Sequence, residues 1–228
     1  MIQHLTNLLV DNTCYGCNGH LTIQEKHICL GCLSQMEETH FHQHFTENEL
    51  FYRLAGRVPL AGAAGLFFFS KGGRLQSIIR HLKYKGAPAL GIFLGRYYGQ
   101  ILRETGLGEK TDAIIPVPLH RQRFIQRGYN QAEKIALGLG KELDLPIITS
   151  QLKRRRQTLT QTRKGSLSRW GNVDGAFRTK GQFPPRILLV DDIITTGSTL
   201  EACIRALMKA ELPPREIYIL SIGVAKRD

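Results

Sequence analysis

Apolar positions along the chain change period several times, and each change marks an element. Leu66–Phe69 is a short unbroken apolar run that predicts a buried strand. Leu75, Ile78, Ile79 and Leu82 then recur at i, i+3, i+4 and i+7, the stripe of a helix buried along one side. Ala89–Arg103 predicts a second helix and Ala113–Val117 a buried strand, while Ala132, Ile135, Ala136, Leu139 and Leu143 mark a third, amphipathic helix. Pro146–Ile148 opens a further strand. Arg186–Val190 (RILLV) is a continuous apolar strand followed by a turn and a helix bearing Leu200, Cys203, Ile204 and Leu207, and Ile217–Ile222 closes the set. Strands alternating with helices of this length predict a mostly parallel α/β sheet with right-handed crossovers, in which ligands bind at the carboxyl ends of the strands. Cys203 falls within its helix's apolar stripe and reads as a core thiol, not a nucleophile.

The 228 residues suffice for one ordinary domain and a small addition, and 42% apolar with 22% charged residues is a globular composition. The pattern divides the chain into a module at 1–50, a connector at 51–62 and an α/β domain at 63–228. The longest apolar stretch, Leu60–Phe69, is about half of the ~20 residues a bilayer requires, and Met1–Val10 has no Lys or Arg to begin a secretory leader. A cytoplasmic protein with no membrane insertion is the expectation. The net charge of +12 is uneven: residues 1–50 hold one base against six acids, whereas Gln151–Lys180 holds nine bases and one acid. A surface of that sign attracts an anion without choosing among nucleic acid, an acidic protein and a phosphorylated small molecule.

Four of the five cysteines fall as Cys14-x2-Cys17 and Cys29-x2-Cys32, a spacing that brings four sulfurs around one ion. In a reducing compartment such a soft set selects Zn2+, with iron left open by the ligands alone. Two disulfides are the competing use, and no export signal accompanies them. His20 or His27 could replace one ligand, but four cysteines already close the shell; His40, His42 and His44 receive no role. A closed thiolate shell leaves no position for substrate, so the metal is structural, contributing an apparent ~10–16 kcal/mol in comparable fingers.

The most informative stretch is Ile187–Leu200, ILLVDDIITTGSTL. An apolar strand delivers Asp191 and Asp192 to its rim, and Thr195, Thr196, Gly197, Ser198 and Thr199 then open a helix. Amides at a helix start, an unhindered glycine and four hydroxyls make an anion cradle. Paired carboxylates beside it would repel the same anion, so they call for a neutral partner such as vicinal sugar hydroxyls. Together they describe a site for a ribose phosphate.

This run resembles the signature of the type I phosphoribosyltransferases: a buried strand, two acids, then a Thr- and Gly-rich loop. With the N-terminal cysteines it is similar to the ComF family, phosphoribosyltransferase-like proteins associated with competence and DNA uptake. HLKYKG at 81–86, PVPLHRQRFIQRGYNQ at 116–131 and SRWGNVDGAF at 168–177 also resemble that family. The resemblance implies a type I phosphoribosyltransferase-like, mostly parallel sheet flanked by helices, with a small zinc-binding module. Asp191 and Asp192 would hold the ribose hydroxyls of phosphoribosyl pyrophosphate (PRPP), with Thr195–Thr199 around its monophosphate. The basic loop bearing Arg121, Arg123 and Arg127 would neutralise the departing pyrophosphate, joined by Lys83 and Lys85 and by Mg2+ bridging the phosphate oxygens. Gln151–Asn172 would form a mobile lid working through Thr158, Gln161 and Arg169. The implied activity is Mg2+-dependent phosphoribosyl transfer to an unidentified nitrogen acceptor. The competing reading is a non-catalytic PRPP sensor, or an accessory protein that binds single-stranded DNA or DNA-uptake proteins.

Overall fold

The structure, a computed structural model, describes residues 12–155 and 175–226. Its main sheet has strands β1 (Gly62–Phe69), β2 (Ala113–Pro116), β5 (Arg186–Ile194) and β6 (Glu216–Ala225) in the order β1-β6-β5-β2, all parallel. A separate antiparallel pair, β3 (Leu152–Arg154) and β4 (Phe177–Thr179), flanks the undescribed segment 156–174. The helices are α1 (Leu30–Ser34), α2 (Glu49–Ala55), α3 (Arg74–Tyr84), α4 (Pro88–Arg103), α5 (Arg121–Arg127), α6 (Gln131–Leu143) and α7 (Ser198–Leu207).

Both faces of the sheet are covered, which is why its central strands read as continuous apolar runs. Leu188, Val190, Leu220 and Ile222 pack with Ile78, Leu82, Leu90, Leu94 and Leu139 of α3, α4 and α6. Ile187, Leu189, Ile217 and Ile219 pack with Leu50 and Leu54 of α2 and with Leu200, Cys203, Ile204 and Leu207 of α7. Helices α4 and α6 cross at Gly95 and Gly138, where an added Cβ would strike Ile135 O and Ile92 O respectively, so this contact is backbone against backbone.

Several elements depart from the sequence pattern. Strand β5 continues past Val190 to Ile194 by pairing with β6 as far as Val224, so the acidic pair lies within the strand. Strand β1 starts at Gly62, ahead of Leu66. Pro146–Ile148 makes only a single parallel bridge, Ile147 beside Ile114 at the β2 edge. The stretch carrying Arg121, Arg123 and Arg127 is helical, capped by His120 Nδ1 accepting from the Gln122 amide (3.3 Å) and ended by Gly128 at φ +78°. Part of the segment read as a connector is α2, capped by Asn48 and docked in the core through Leu50 and Leu54. Residues 37–39 close the β1 edge, with the Thr39 amide donating to Leu66 O (3.0 Å) and the Phe68 amide to Glu37 O (2.8 Å).

Candidate functional site

The extension of β5 places two carboxylates at the carboxyl end of the sheet. Each spends one oxygen on the next amide: Asp192 N–H donates to Asp191 Oδ1 and Ile193 N–H to Asp192 Oδ1, both at 2.8 Å. The other Asp192 oxygen, Oδ2, meets Lys83 Nζ at 2.7 Å, an ion pair largely removed from solvent. Burial and the neighbouring Asp192 charge push the Asp191 carboxyl up to about 7, against the opposing pull of the Asp192 amide, Lys83 and Arg154. Burial also drives the Cys203 thiol well up beside Asp191, leaving it an inert core group as its stripe position implied.

Beyond β5 the chain turns through Thr195–Gly197 into α7, and α2 determines how it turns. Buried Arg53 donates from Nη1 to Thr195 O (3.1 Å) and to Ala225 O (3.3 Å), and pairs with Glu49 on its own helix. Arg57 donates from Nη2 to Thr196 O (2.9 Å) and from Nη1 to Glu201 Oε2 (3.2 Å). Two consecutive loop carbonyls are thereby drawn toward α2, away from competition with an anion for the amides at the start of α7. Gly197 sits at φ +81°, and a Cβ there would collide with Leu54 Cδ2. Its need for glycine is thus a left-handed turn pressed against α2, a different reason from the open approach for an anion read in the sequence. Thr196 Oγ1 lies 3.0 Å from Ser198 Oγ, so these hydroxyls order one another.

A cavity of about 310 Å3 joins these parts. Its walls bring together Asp191, Asp192, Thr195 and Thr199 with the cations Lys83, Arg123, Arg127 and Arg154. Thr196, Gly197 and Ser198 of the turn do not line the cavity, nor do Arg121 and Lys85. Thr158, Gln161 and Arg169 lie outside the described residues. Arg127 is fixed by Gln131 Oε1 (2.7 Å) and lies over the Tyr84 ring, 5.0 Å from its centroid. Asn130 caps α6 and donates to Val117 O (2.9 Å), holding the β2 end of the cavity.

Arg154 was missed by sequence reasoning, submerged among nine bases in the Gln151–Lys180 stretch. The available signal was Leu152, whose burial beside Phe177 makes a hairpin of this piece and brings the arginine toward β5. Arg53 and Arg57 were missed because the connector reading gave α2 no role. The spacing of Leu50 and Leu54, both fully buried, was the signal that could have revealed it.

The cysteines form a second, separate centre. Ligand atoms of Cys14, Cys17, Cys29 and Cys32 all lie within 4.8 Å of one another, and the Cys17 and Cys29 sulfurs are 3.9 Å apart. A tetrahedron with Zn–S bonds of ~2.3 Å has edges of about 3.8 Å, so the donor set fits zinc. Backbone amides of Gly16 and Cys29 donate to Cys14 Sγ (3.3 and 3.2 Å), Gly19 to Cys17 Sγ (3.4 Å) and Cys32 to Cys29 Sγ (3.4 Å). Such donors favour thiolate over thiol, the form a metal ligand takes. A Cβ on Gly16 would lie 2.7 Å from Cys32 Sγ, inside the space the sulfurs require.

A family model described as a phosphoribosyl transferase domain matches residues 83–222. Competence protein F of Haemophilus influenzae is 29% identical over 219 residues, covering 91% of this chain and 96% of that protein. DNA utilization protein YhgH of Shigella flexneri is 34% identical over 151 residues, 64% of this chain and 66% of that protein. Among solved structures, the purine phosphoribosyltransferase from Pyrococcus horikoshii Ot3 is 24% identical over 60% of this chain and 73% of that one, with a TM-score of 0.33.

Proposed function

The chain belongs to the phosphoribosyl transferase domain family, as a relative of competence protein F, and from that premise we propose that it binds PRPP at the end of β5 and transfers the phosphoribosyl group to a nitrogen nucleophile. One observation carries this reading: a single cavity holds a pair of carboxylates, the hydroxyls of Thr195 and Thr199, and four cations. Vicinal hydroxyls donate to Asp191 and Asp192, while the monophosphate occupies the amides and hydroxyls of the turn that Arg53 and Arg57 hold open.

Transfer breaks the bond from the anomeric carbon to pyrophosphate, whose oxygen leaves with the electron pair, and the acceptor nitrogen supplies the pair for the new bond. Positive charge develops on the sugar and negative charge on the leaving group. The cations Lys83, Arg123 and Arg127 that line the cavity stabilise the second of these, and an ionised Asp191 favours the first. Hard oxygen donors suited to Mg2+ are present in Asp191 and Asp192; because Lys83 already engages Asp192, the residues suit an ion held mainly by substrate oxygens and water. When bound, that ion neutralises the leaving pyrophosphate.

The test is calorimetry of PRPP with metal-loaded protein, and pyrophosphate release across a panel of bases and amines with Mg2+. Asp191→Asn/Asp192→Asn should abolish both. No uptake of PRPP by folded wild-type protein would refute the assignment, and tight uptake without turnover on any acceptor would leave a PRPP sensor. A second reading has one observation of its own. Tyr84, Phe124 and Ile125 are exposed among Arg121, Arg123, Arg127 and Lys85, a mix of rings and cations that suits single-stranded DNA. That affinity should fall steeply with added salt, and no binding even in dilute salt ends it.

A further inference from the structure

The cysteine module touches the helix that supplies the cavity's lysine, through a short series of directional contacts. Tyr15, next to Cys14, donates its amide to His27 O (2.9 Å), and its ring contacts two histidines. It stacks on His27, 5.8 Å between centroids and 9° between planes, and meets His81 of α3 at 4.8 Å. His27 in turn places its face or edge against Phe93 of α4 at 5.5 Å and 69°. The Tyr15 carbonyl accepts from Ser77 Oγ (2.8 Å), one helical turn before His81, and His81 Nδ1 is 3.0 Å from Ser77 O. Lys83, two residues beyond His81, reaches Asp192.

Other contacts on α3 leave this one a specific task. The stripe of Leu75, Ile78, Ile79 and Leu82 sets which face of the helix meets the sheet, but apolar contact is non-directional and leaves the finer placement to directional bonds. Tyr129 Oη donates to Leu82 O (2.6 Å) and fixes the last turn from the side of α6. The hydrogen bond and ring contact from Tyr15 fix the middle turns from the opposite direction in sequence. We infer that Tyr15 is a positioning residue of the donor site: the metal-bound module clamps Ser77 and His81 and thereby sets where α3 delivers the Lys83 ammonium. This rests on the PRPP reading for its consequence in affinity, but not for its consequence at Lys83 itself. It gives the four cysteines a part in donor binding, where a structural ion alone would serve only the module's own fold.

Metal-loaded full-length protein tests it with two readouts. The first is PRPP affinity by calorimetry; the second is the rate of reductive methylation at Lys83, read by mass spectrometry without PRPP. Tyr15→Ala, which removes the ring and leaves the backbone carbonyl to Ser77, should keep its zinc content, weaken PRPP by about threefold to thirtyfold and speed Lys83 labelling severalfold, while Tyr15→Phe, which retains the ring, should restore both. In a Lys83→Met background Tyr15→Ala should cost little further affinity, because the two act on one contact. An equal penalty in both backgrounds, or unchanged Lys83 labelling in zinc-loaded Tyr15→Ala, overturns the inference. If Tyr15→Ala fails to retain zinc, Ser77→Ala removes the module's other hold on α3, the hydrogen bond to the Tyr15 carbonyl, with the module's sequence intact, and unchanged Lys83 labelling there counts equally against it. Wild-type protein that ignores PRPP would sink the proposed function, and the labelling comparison would still decide the coupling.

Discussion

Lys83→Met retains a long apolar stem in the cavity and removes the ammonium 2.7 Å from Asp192 Oδ2. Stripping one partner from a buried ion pair costs ~3–5 kcal/mol, and an exposed pair is worth ~0–1. With side chains 24% and 11% exposed, this pair lies between those limits, and about 2 kcal/mol of lost stability is the expectation at pH 8. The cost depends on pH because Asp191, already pushed up to about 7 by burial and by Asp192, also loses the Lys83 charge that opposes that rise. A carboxyl whose folded pKa exceeds its unfolded value stabilises the fold when protonated. That contribution is full below about pH 4 and is lost as pH rises through about 7, at ~1.4 kcal/mol per unit within the window. Lys83→Met moves the upper limit of this window to higher pH. At pH 5.5 the carboxylate pair therefore relieves its repulsion by holding a proton, and the variant's deficit should shrink to under about 1 kcal/mol. Urea unfolding of wild type and variant at both pH values measures the difference. A deficit equal at pH 5.5 and pH 8, or larger at the lower pH, would refute the linkage of Lys83 to the acidic pair.

Three further outcomes follow from other parts of the site. PRPP affinity should rise with pH through about 7, because hydroxyl donors require Asp191 ionised, and Asp191→Asn should flatten that profile as well as lower it; a calorimetric pH series checks this. Gly197→Ala adds left-handed strain and a collision with Leu54, so a loss of about 2–4 kcal/mol is expected in urea unfolding, together with weaker PRPP binding; a change within ~0.5 kcal/mol would contradict the packing described. Removing the metal with a chelator should lower the melting temperature and be reversed by Zn2+ in preference to Mg2+, and an unchanged melting curve after verified loss of metal would deny the ion a structural role.

The parallel sheet and most of its helices were legible because both faces of β5 and β6 are covered, which forces uninterrupted apolar runs such as Arg186–Val190. The cysteine centre was legible for a similar reason, since four ligands must come from short spacings if the knuckles are to close. The limits of these elements were less so. Hydropathy stops at Val190 because Asp191 is polar, yet pairing with Ser221, Gly223 and Val224 carries the strand onward; backbone hydrogen bonds do not show in a side-chain pattern. Helix α5 was hidden because none of its residues is buried, so it carries no apolar stripe to read.

The residues that sequence reasoning passed over share a physical trait: they act on backbone groups or across long separations. Arg53 and Arg57 donate to the carbonyls of Thr195 and Thr196, over 142 and 139 residues of chain, and an accepting carbonyl leaves no trace in residue identity. Recognition found the groups that meet a ligand because a ligand demands particular side chains at fixed spacing. It did not find what holds them, because a carbonyl can be held by an arginine from any element that folds near it. The same reasoning explains why Lys83 and Lys85 looked equivalent as cations at a helix end. The roll of α3, set by its apolar stripe, separates the lysine that reaches Asp192 from the one that lies off the cavity.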